Sequence, residues 1–175
     1  MEIRFYHLMR TGPDRALPSL LTKCLQRSLR AVVVAGSEER AEAYAEMLWT
    51  FDDRSFLPHG TRRDGEAERQ PIWITDRIEN PNEASVLFLT DDVGPPDGEP
   101  TVSLEGLTLV CDLFNGDDAE SLALARERYR LALSTTHTLS YWQQDEQGRW
   151  SERHRREGAS TSSREGASTS SREGA

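Results

Sequence analysis

An uninterrupted apolar run at residues 31–35, with three consecutive valines, constrains the fold of this chain more than any other feature. A strand that is apolar at every position is typical of a sheet covered on both faces. Before it come an alternating segment at residues 3–8 and a helical stripe of apolar residues at 17–29, which Pro18 can open from its first turn. After it, Ser37 is a suitable N-cap for a second helix. This strand, helix, strand, helix order predicts a parallel α/β sheet.

The remaining elements are shorter. The sequence predicts strands at residues 72–74, 86–89, 107–113 and 138–143, an exposed turn at 94–98 and a helix at 119–133. The helix that follows Ser37 should bury one face, which consists of Ala41, Tyr44, Ala45, Leu48 and Trp49.

An exact repeat ends the chain. Residues 156–175 read REGASTSS, REGASTSS, REGA and contain no apolar side chain larger than alanine. Such a segment has no apolar surface to bury. We therefore expect one folded domain at residues 1–150 and a disordered low-complexity tail at residues 151–175.

The charge of the expected domain argues against some functions. The chain carries 21 basic and 30 acidic side chains, and residues 1–150 hold 16 and 26 of them, a formal charge of −10. Nucleic-acid affinity depends on clustered lysines and arginines, so direct DNA binding is disfavoured. No apolar run reaches the roughly 20 residues of a membrane span, and the N-terminus lacks a signal segment, so we expect a cytoplasmic protein.

The sequence contains no recognisable catalytic constellation. The turn after residue 35 lacks the glycine and lysine pattern of phosphate-binding loops, and Lys23 is the sole lysine. Acidic pairs at residues 52–53, 91–92 and 117–118 have no histidine or third carboxylate at ligand spacing, so turns and a helix cap explain them better than a metal. Cys24 and Cys111 are expected to be buried free thiols. We predict no catalytic residue, no metal and no cofactor, although an enzyme of nucleotide or phosphate chemistry stays open as an alternative.

Two segments remain without a structural explanation of their own. Residues 48–59 place three large aromatics at a helix end and in the loop beyond it, where they could meet a partner or fold back over the sheet. Residues 125–130 gather three arginines and a tyrosine, and Arg126 and Arg130 share a helix face. That face could bind an acidic peptide or a terminal carboxylate, or it could be a solvated face whose arginines pair with Glu127 and Glu120.

Six tracts, taken in order, resemble one known family. They are residues 5–8 (FYHL), 48–49 (LW), 55–59 (SFLPH), 71–74 (PIWI), 112–115 (DLFN) and 125–129 (ARERY). Their order and spacing over about 150 residues resemble the chi subunit of bacterial DNA polymerase III, a clamp-loader accessory protein. The resemblance implies a three-layer α/β/α sandwich with a mostly parallel central sheet.

The resemblance also implies a non-catalytic adaptor with two protein partners. One surface would bind the acidic C-terminal tail of single-stranded-DNA-binding protein through Asn115, Arg126, Tyr129 and Arg130. A second would form a heterodimer with the psi subunit through Trp49, Phe56, Pro58 and His59. Leu122 stands where some members of the family have a lysine, so one basic contact is absent. Two alternatives stay open. The chain could be a direct single-stranded-DNA-binding accessory protein, which would need a basic groove with stacking aromatics, or a partner of a repair helicase that binds the psi surface.

Overall fold

The computed structural model describes residues 1–9, 11–94, 106–145 and 147–158. Its strands are β1 Glu2–Leu8, β2 Ala31–Val34, β3 His59–Gly60, β4 Ile72–Thr75, β5 Val86–Leu89, β6 Leu109–Asn115, β7 Thr138–Gln144 and β8 Trp150–Arg156. Its α-helices are α1 Pro13–Gln26, α2 Glu38–Thr50 and α3 Ala119–Ala132, and a 3-10 helix spans Ala67–Arg69. The order of strands and helices predicted from the sequence is confirmed, and β3 and β8 are additions to it.

The strands form one sheet in the order β3-β4-β2-β5-β6-β1-β7-β8. Every neighbouring pair is parallel except β7 and β8, which are antiparallel. Within the sheet, Phe5 of β1 lies opposite Asp112 of β6 and Tyr141 of β7. The predicted α/β class with a mostly parallel sheet is confirmed.

Helices cover the sheet from both sides. On one face, α1 and α2 pack on the sheet through a core that includes Leu21, Tyr44 and Phe88. On the other face, Ala125 and Ala132 of α3 pack against Phe5, Phe114 and Leu139. Successive side chains of a strand point to opposite faces of the sheet. The alternation on β1, β6 and β7 therefore decides which residues α3 can reach.

The helix starts follow local rules of capping. Ser37 caps α2 as predicted, because its hydroxyl oxygen accepts a hydrogen bond from the Arg40 backbone N–H at 3.2 Å. At α3, the Asp118 carboxylate accepts one from the Glu120 backbone N–H at 3.1 Å. The expected opening of α1 at Pro18 is wrong, since the helix begins at Pro13 and Pro18 is buried inside it.

Trp49 does not belong to the inner face of α2. Ala41, Tyr44, Ala45 and Leu48 are buried as predicted, but 59% of the Trp49 surface is exposed. Trp49 follows Ala45 by four residues and lies about 40° farther around the helix, beyond the edge of the buried face, so its side chain is exposed.

The folded domain extends past residue 150. The sequence predicts an end at residue 150 because Trp150 is the last large residue, but Trp150–Arg156 form β8, which pairs with β7. The Arg156 guanidinium donates hydrogen bonds to the carbonyl oxygens of Leu133, Thr135 and His137. Backbone pairing and these bonds hold the strand without an apolar face, and charged side chains are common on edge strands. Residues 159–175 of the tail expected to be disordered lie outside the described residues. Residues 95–98 of the predicted turn at 94–98 also lie outside them.

Other expectations concern the cysteines and the membrane. Cys24 and Cys111 are buried free thiols, as predicted, and burial raises the pKa of both. Within the described residues, no helix combines the length and apolar character needed to cross a bilayer.

Candidate functional site

We call Asn115, Arg126, Tyr129 and Arg130 the tail surface, and Trp49, Phe56, Pro58 and His59 the aromatic surface. The arginines of the tail surface belong to α3, and their neighbour Arg128 shows how that helix is oriented. Two residues along a helix correspond to about 200°, so Arg126 and Arg128 point to opposite sides. Arg128 is buried, and Arg126 is exposed.

Arg128 anchors α3 to the sheet. Its guanidinium donates two hydrogen bonds to the Asp112 carboxylate of β6, at 2.6 and 2.9 Å, and lies 3.5 Å from an oxygen of Asp92. Asp92 in turn accepts a hydrogen bond from the Ser121 hydroxyl at 2.7 Å. Burial raises the pKa of Asp112, and the charge of Arg128 opposes that rise. The three arginines predicted as one cluster are therefore divided between an anchor and the surface.

A cavity of about 400 Å³ opens between α3 and the sheet. Arg126 and Tyr129 line it from the helix together with Leu122. The sheet side is mostly aromatic and consists of Phe5, His7, Phe114, Tyr141 and His154. The tail surface thus has an apolar cavity beside a cation, a combination that suits a ring next to a negative charge.

Aromatic contacts fix the walls of this cavity. The rings of Phe5 and Tyr129 meet edge to face with centroids 5.0 Å apart, and His7 stacks on Phe114 at 5.2 Å. His7 Nδ1 lies 2.5 Å from the Tyr141 hydroxyl oxygen. Sequence reasoning missed this sheet wall because β1 and β7 are distant along the chain, although alternation does place Phe5 and His7 on one face of β1.

Arg126 dominates the charge of the cavity. No ion pair to it is found among the residues that the structure describes. Burial lowers the pKa of His7, Asp117 opposes the shift and the positive charge of Arg126 adds to it. Burial raises the pKa of Tyr141, and Arg126 opposes that rise. His7 is thus favoured in its neutral form, and Arg126 is left as the cation of the cavity.

Two predicted members of the tail surface do not line the cavity. Arg130 is exposed, and its Nε donates a hydrogen bond to Glu127 at 2.9 Å. Asn115 is exposed at the end of β6, where its side-chain oxygen accepts a hydrogen bond from the Asp117 backbone N–H at 3.0 Å. The structure therefore brings together Arg126, Tyr129 and Leu122, with Arg130 and Asn115 outside them.

The aromatic surface lies where α2 leads through a loop to β3. Trp49 and Phe56 are 59% and 67% exposed, and their ring centroids are 5.6 Å apart. His59 is buried, with its ring 4.7 Å from that of Trp49 and its two nitrogens near the carbonyl oxygens of Leu57 and Ala45. Pro58 is half-buried. Two large exposed aromatics in contact with each other form an apolar patch of the kind that partners cover.

The acidic pairs have structural partners. The Asp91 carboxylate accepts hydrogen bonds from Arg40 and from the Tyr44 hydroxyl, at 3.0 and 2.8 Å from the same oxygen. Asp52 accepts a hydrogen bond from the Arg54 backbone N–H at 2.9 Å. In the described part of the chain, no three histidine, cysteine, aspartate or glutamate side chains are grouped so that they could hold a metal ion.

Comparison with known proteins identifies one family over most of the chain. The family described as "DNA polymerase III chi subunit, HolC" matches residues 1–140, which include every residue of both surfaces. A relative from Rickettsia prowazekii (strain Madrid E), named "Probable DNA polymerase III subunit chi", is 33% identical over 88 residues. That alignment covers 50% of this chain and 53% of the relative, so the chain spans about half the length of the curated relative it matches.

Proposed function

This chain belongs to the DNA polymerase III chi subunit family, and we propose that it is a non-catalytic adaptor of that polymerase in DNA replication. In this proposal the tail surface captures the acidic C-terminal tail of single-stranded-DNA-binding protein. The aromatic surface binds the psi subunit and so connects the chain to the clamp loader. The protein then links DNA coated by single-stranded-DNA-binding protein to the replication machinery without touching DNA itself.

The observation that carries the proposal is a cation beside an aromatic cavity. A peptide that ends in an aromatic residue has a ring and a terminal carboxylate next to each other. The ring can enter the cavity and contact Tyr129 and Phe5 on its walls, and the carboxylate can accept hydrogen bonds from the guanidinium of Arg126. Such charge-assisted bonds are stronger than neutral ones. Leu122, in place of a basic residue, adds apolar lining and leaves Arg126 as the main charge contact.

The charge of the domain favours a protein partner over DNA. Acidic side chains exceed basic ones by ten in residues 1–150. The phosphate backbone of DNA is repelled by these carboxylates. A short acidic tail needs only a local cation and a place for its ring, which the cavity supplies.

Titration with an acidic peptide that ends in phenylalanine tests the tail surface. Arg126→Ala should weaken binding by about 1.5–3 kcal/mol, the range for a hydrogen bond to a charged group. Arg130→Ala tests the second arginine of the tail surface and should cost about 0.5 kcal/mol or less, because Glu127 already neutralises that side chain outside the cavity. Equal losses for the two variants would contradict the assignment of the carboxylate to Arg126.

A second titration uses a bare single-stranded oligonucleotide. We expect no binding at physiological salt, because acidic side chains outnumber basic ones by ten in residues 1–150. Submicromolar binding to the oligonucleotide would favour a direct DNA-binding role over the adaptor.

A further inference from the structure

A second cavity lies on the opposite face of the sheet from the tail surface. It has a volume of about 230 Å³ and lies where the C-terminal end of α1 passes over β1, β6, β7 and β8. Its apolar lining includes Phe88 and Cys111, both of which are buried. No residue of the tail surface or the aromatic surface lines it. Neither binding event of the proposed function therefore uses it.

Three aromatic rings form one side of this cavity. Tyr6 lies nearly parallel to Trp142, with an interplanar angle of 24°, and meets Trp150 edge on with ring centroids 4.8 Å apart. The Trp142 indole N–H donates a hydrogen bond to the Ser140 hydroxyl at 3.0 Å, which fixes the orientation of that ring. Both indoles are only half-buried. The exposed parts of Trp142 and Trp150 are therefore available to contact a ligand in the cavity.

Two cations stand at the same cavity without acidic partners. Lys23 and Arg27 line it one helical turn apart, and neither has an ion pair within the described residues. Their position at the end of α1 suits the negative end of the helix dipole, which explains why cations are tolerated there. The dipole does not explain why both face a cavity walled by indoles.

Arg4, the third cation of the cavity, is already neutralised. It donates two hydrogen bonds to the Glu2 carboxylate, both at 3.0 Å, and its guanidinium lies over the Trp142 ring at 5.6 Å from the centroid. Arg4 therefore braces the aromatic wall. The uncompensated positive charge of the cavity belongs to Lys23 and Arg27.

We propose that this cavity binds a small aromatic anion, with a planar ring against Trp142 and Trp150 and a carboxylate or phosphate at Lys23 and Arg27. Aromatic rings stack on indoles, and paired cations bind either anion. The volume is below the roughly 300–1,000 Å³ of pockets for drug-sized ligands, so it limits the ligand to one ring system with one charged group. Carboxylate and phosphate ligands share this chemistry, and the experiment distinguishes them.

The test follows the four indole N–H resonances of the full ¹⁵N-labelled chain by NMR during titration with phenyl phosphate or benzoate. Trp142→Phe and Trp150→Phe assign the two resonances of the cavity. Trp49 and Trp73 lie outside it and act as internal controls. We expect saturable shifts of the Trp142 and Trp150 signals alone, at ligand concentrations up to about 5 mM. Tighter binding of one of the two probes identifies the preferred anion.

Matched ligands and variants measure separately how much the aromatic ring and the negative charge of the ligand contribute to its affinity. Inorganic phosphate and benzyl alcohol each lack one half of the proposed ligand and should bind at least fivefold more weakly than phenyl phosphate and benzoate. Lys23→Gln combined with Arg27→Gln should weaken binding of the anions by about tenfold, which corresponds to one decade in Kd. The control Arg77→Gln removes an exposed arginine that does not line the cavity and should leave affinity unchanged.

Several results would overturn the proposal. They are the absence of any shift with both anions, benzyl alcohol binding as tightly as benzoate, and unchanged affinity in the double variant. An indole spectrum of the unliganded double variant that overlays that of the native chain establishes that the variant is folded, so a loss of binding then reports on the two cations.

Discussion

Replacement of Arg128 should separate the anchoring of α3 from binding at its surface. The Arg128 guanidinium makes both hydrogen bonds of its ion pair to a carboxylate that is only 3% exposed. Arg128→Met keeps an unbranched side chain of similar length but leaves Asp112 without its partner. Removal of one member of a buried ion pair costs about 3–5 kcal/mol. Because domains have unfolding free energies of about 5–15 kcal/mol, we expect a large loss of stability at pH 7.

The same variant should become more stable, relative to the native chain, as the pH falls. Burial raises the pKa of Asp112, and Arg128 opposes the rise, so loss of Arg128 raises that pKa further. A carboxyl with a higher pKa in the folded state binds more protons when folded. Its contribution to stability is present below the unfolded pKa and is lost as the pH rises through the folded pKa. The deficit of Arg128→Met should therefore be smaller at pH 5 than at pH 8.

Urea unfolding followed by far-UV circular dichroism measures this deficit. Arg126→Met is the control, because it replaces an exposed arginine on the same helix and should change the free energy of unfolding by no more than about 0.5 kcal/mol. A second variant, Asp112→Asn with Arg128→Met, removes both charges and should recover part of the loss. A deficit below about 1 kcal/mol, or one that is equal at both pH values, would refute the anchoring role.

Three other perturbations have expected outcomes. Phe56→Ala should abolish psi binding and leave the affinity for the tail peptide within about twofold, measured by calorimetry, and loss of both would mean an unfolded variant. Gly116→Ala should weaken binding of the tail peptide, because a Cβ at this position would overlap the His7 ring that lines the cavity; unchanged affinity would exclude His7 from the site. Deletion of residues 159–175 should not change the Tm, whereas truncation after Glu152 removes most of β8 and should lower it by several degrees in a thermal scan; a lower Tm for the shorter deletion would mean that the repeat packs on the domain.

The strands that could be predicted are those whose own residues show that they are buried. The run at residues 31–35 and the strand Val86–Leu89 are apolar at every position, so their place inside the sheet follows directly. The strands β3 and β8 could not be found in this way. One has two residues, and the other is charged and held by backbone pairing and by Arg156, which no periodicity reveals.

In the candidate site too, the residues that could be predicted are those related by local spacing in the sequence. Arg126 and Tyr129 could be singled out, because they lie three residues apart on one helix. His7 and Tyr141 could not, since 134 residues separate them and only the pairing of β1 with β7 brings them together. The local composition of residues 125–130 predicts one cluster of three arginines, because it shows their charges but not the directions of their side chains. A spacing of two residues on a helix, with an aspartate in an apolar strand, was the available signal that Arg128 points inward.

The proposed function requires that the aromatic surface and the tail surface be far enough apart to bind two partners at once. The aromatic surface leads into β3 at one edge of the sheet. The cavity between α3 and the sheet is lined by β6, β1, β7 and β8, toward the other edge. From β3 to β6 there are four strand intervals, or about 19 Å at roughly 4.8 Å each. That distance exceeds both the screening length of about 8 Å at physiological salt and the range over which substitutions usually couple. The α2 end of the aromatic surface also lies on the face of the sheet opposite α3. Under the proposed function, occupation of one surface should therefore leave the affinity of the other unchanged, as an adaptor with two partners requires.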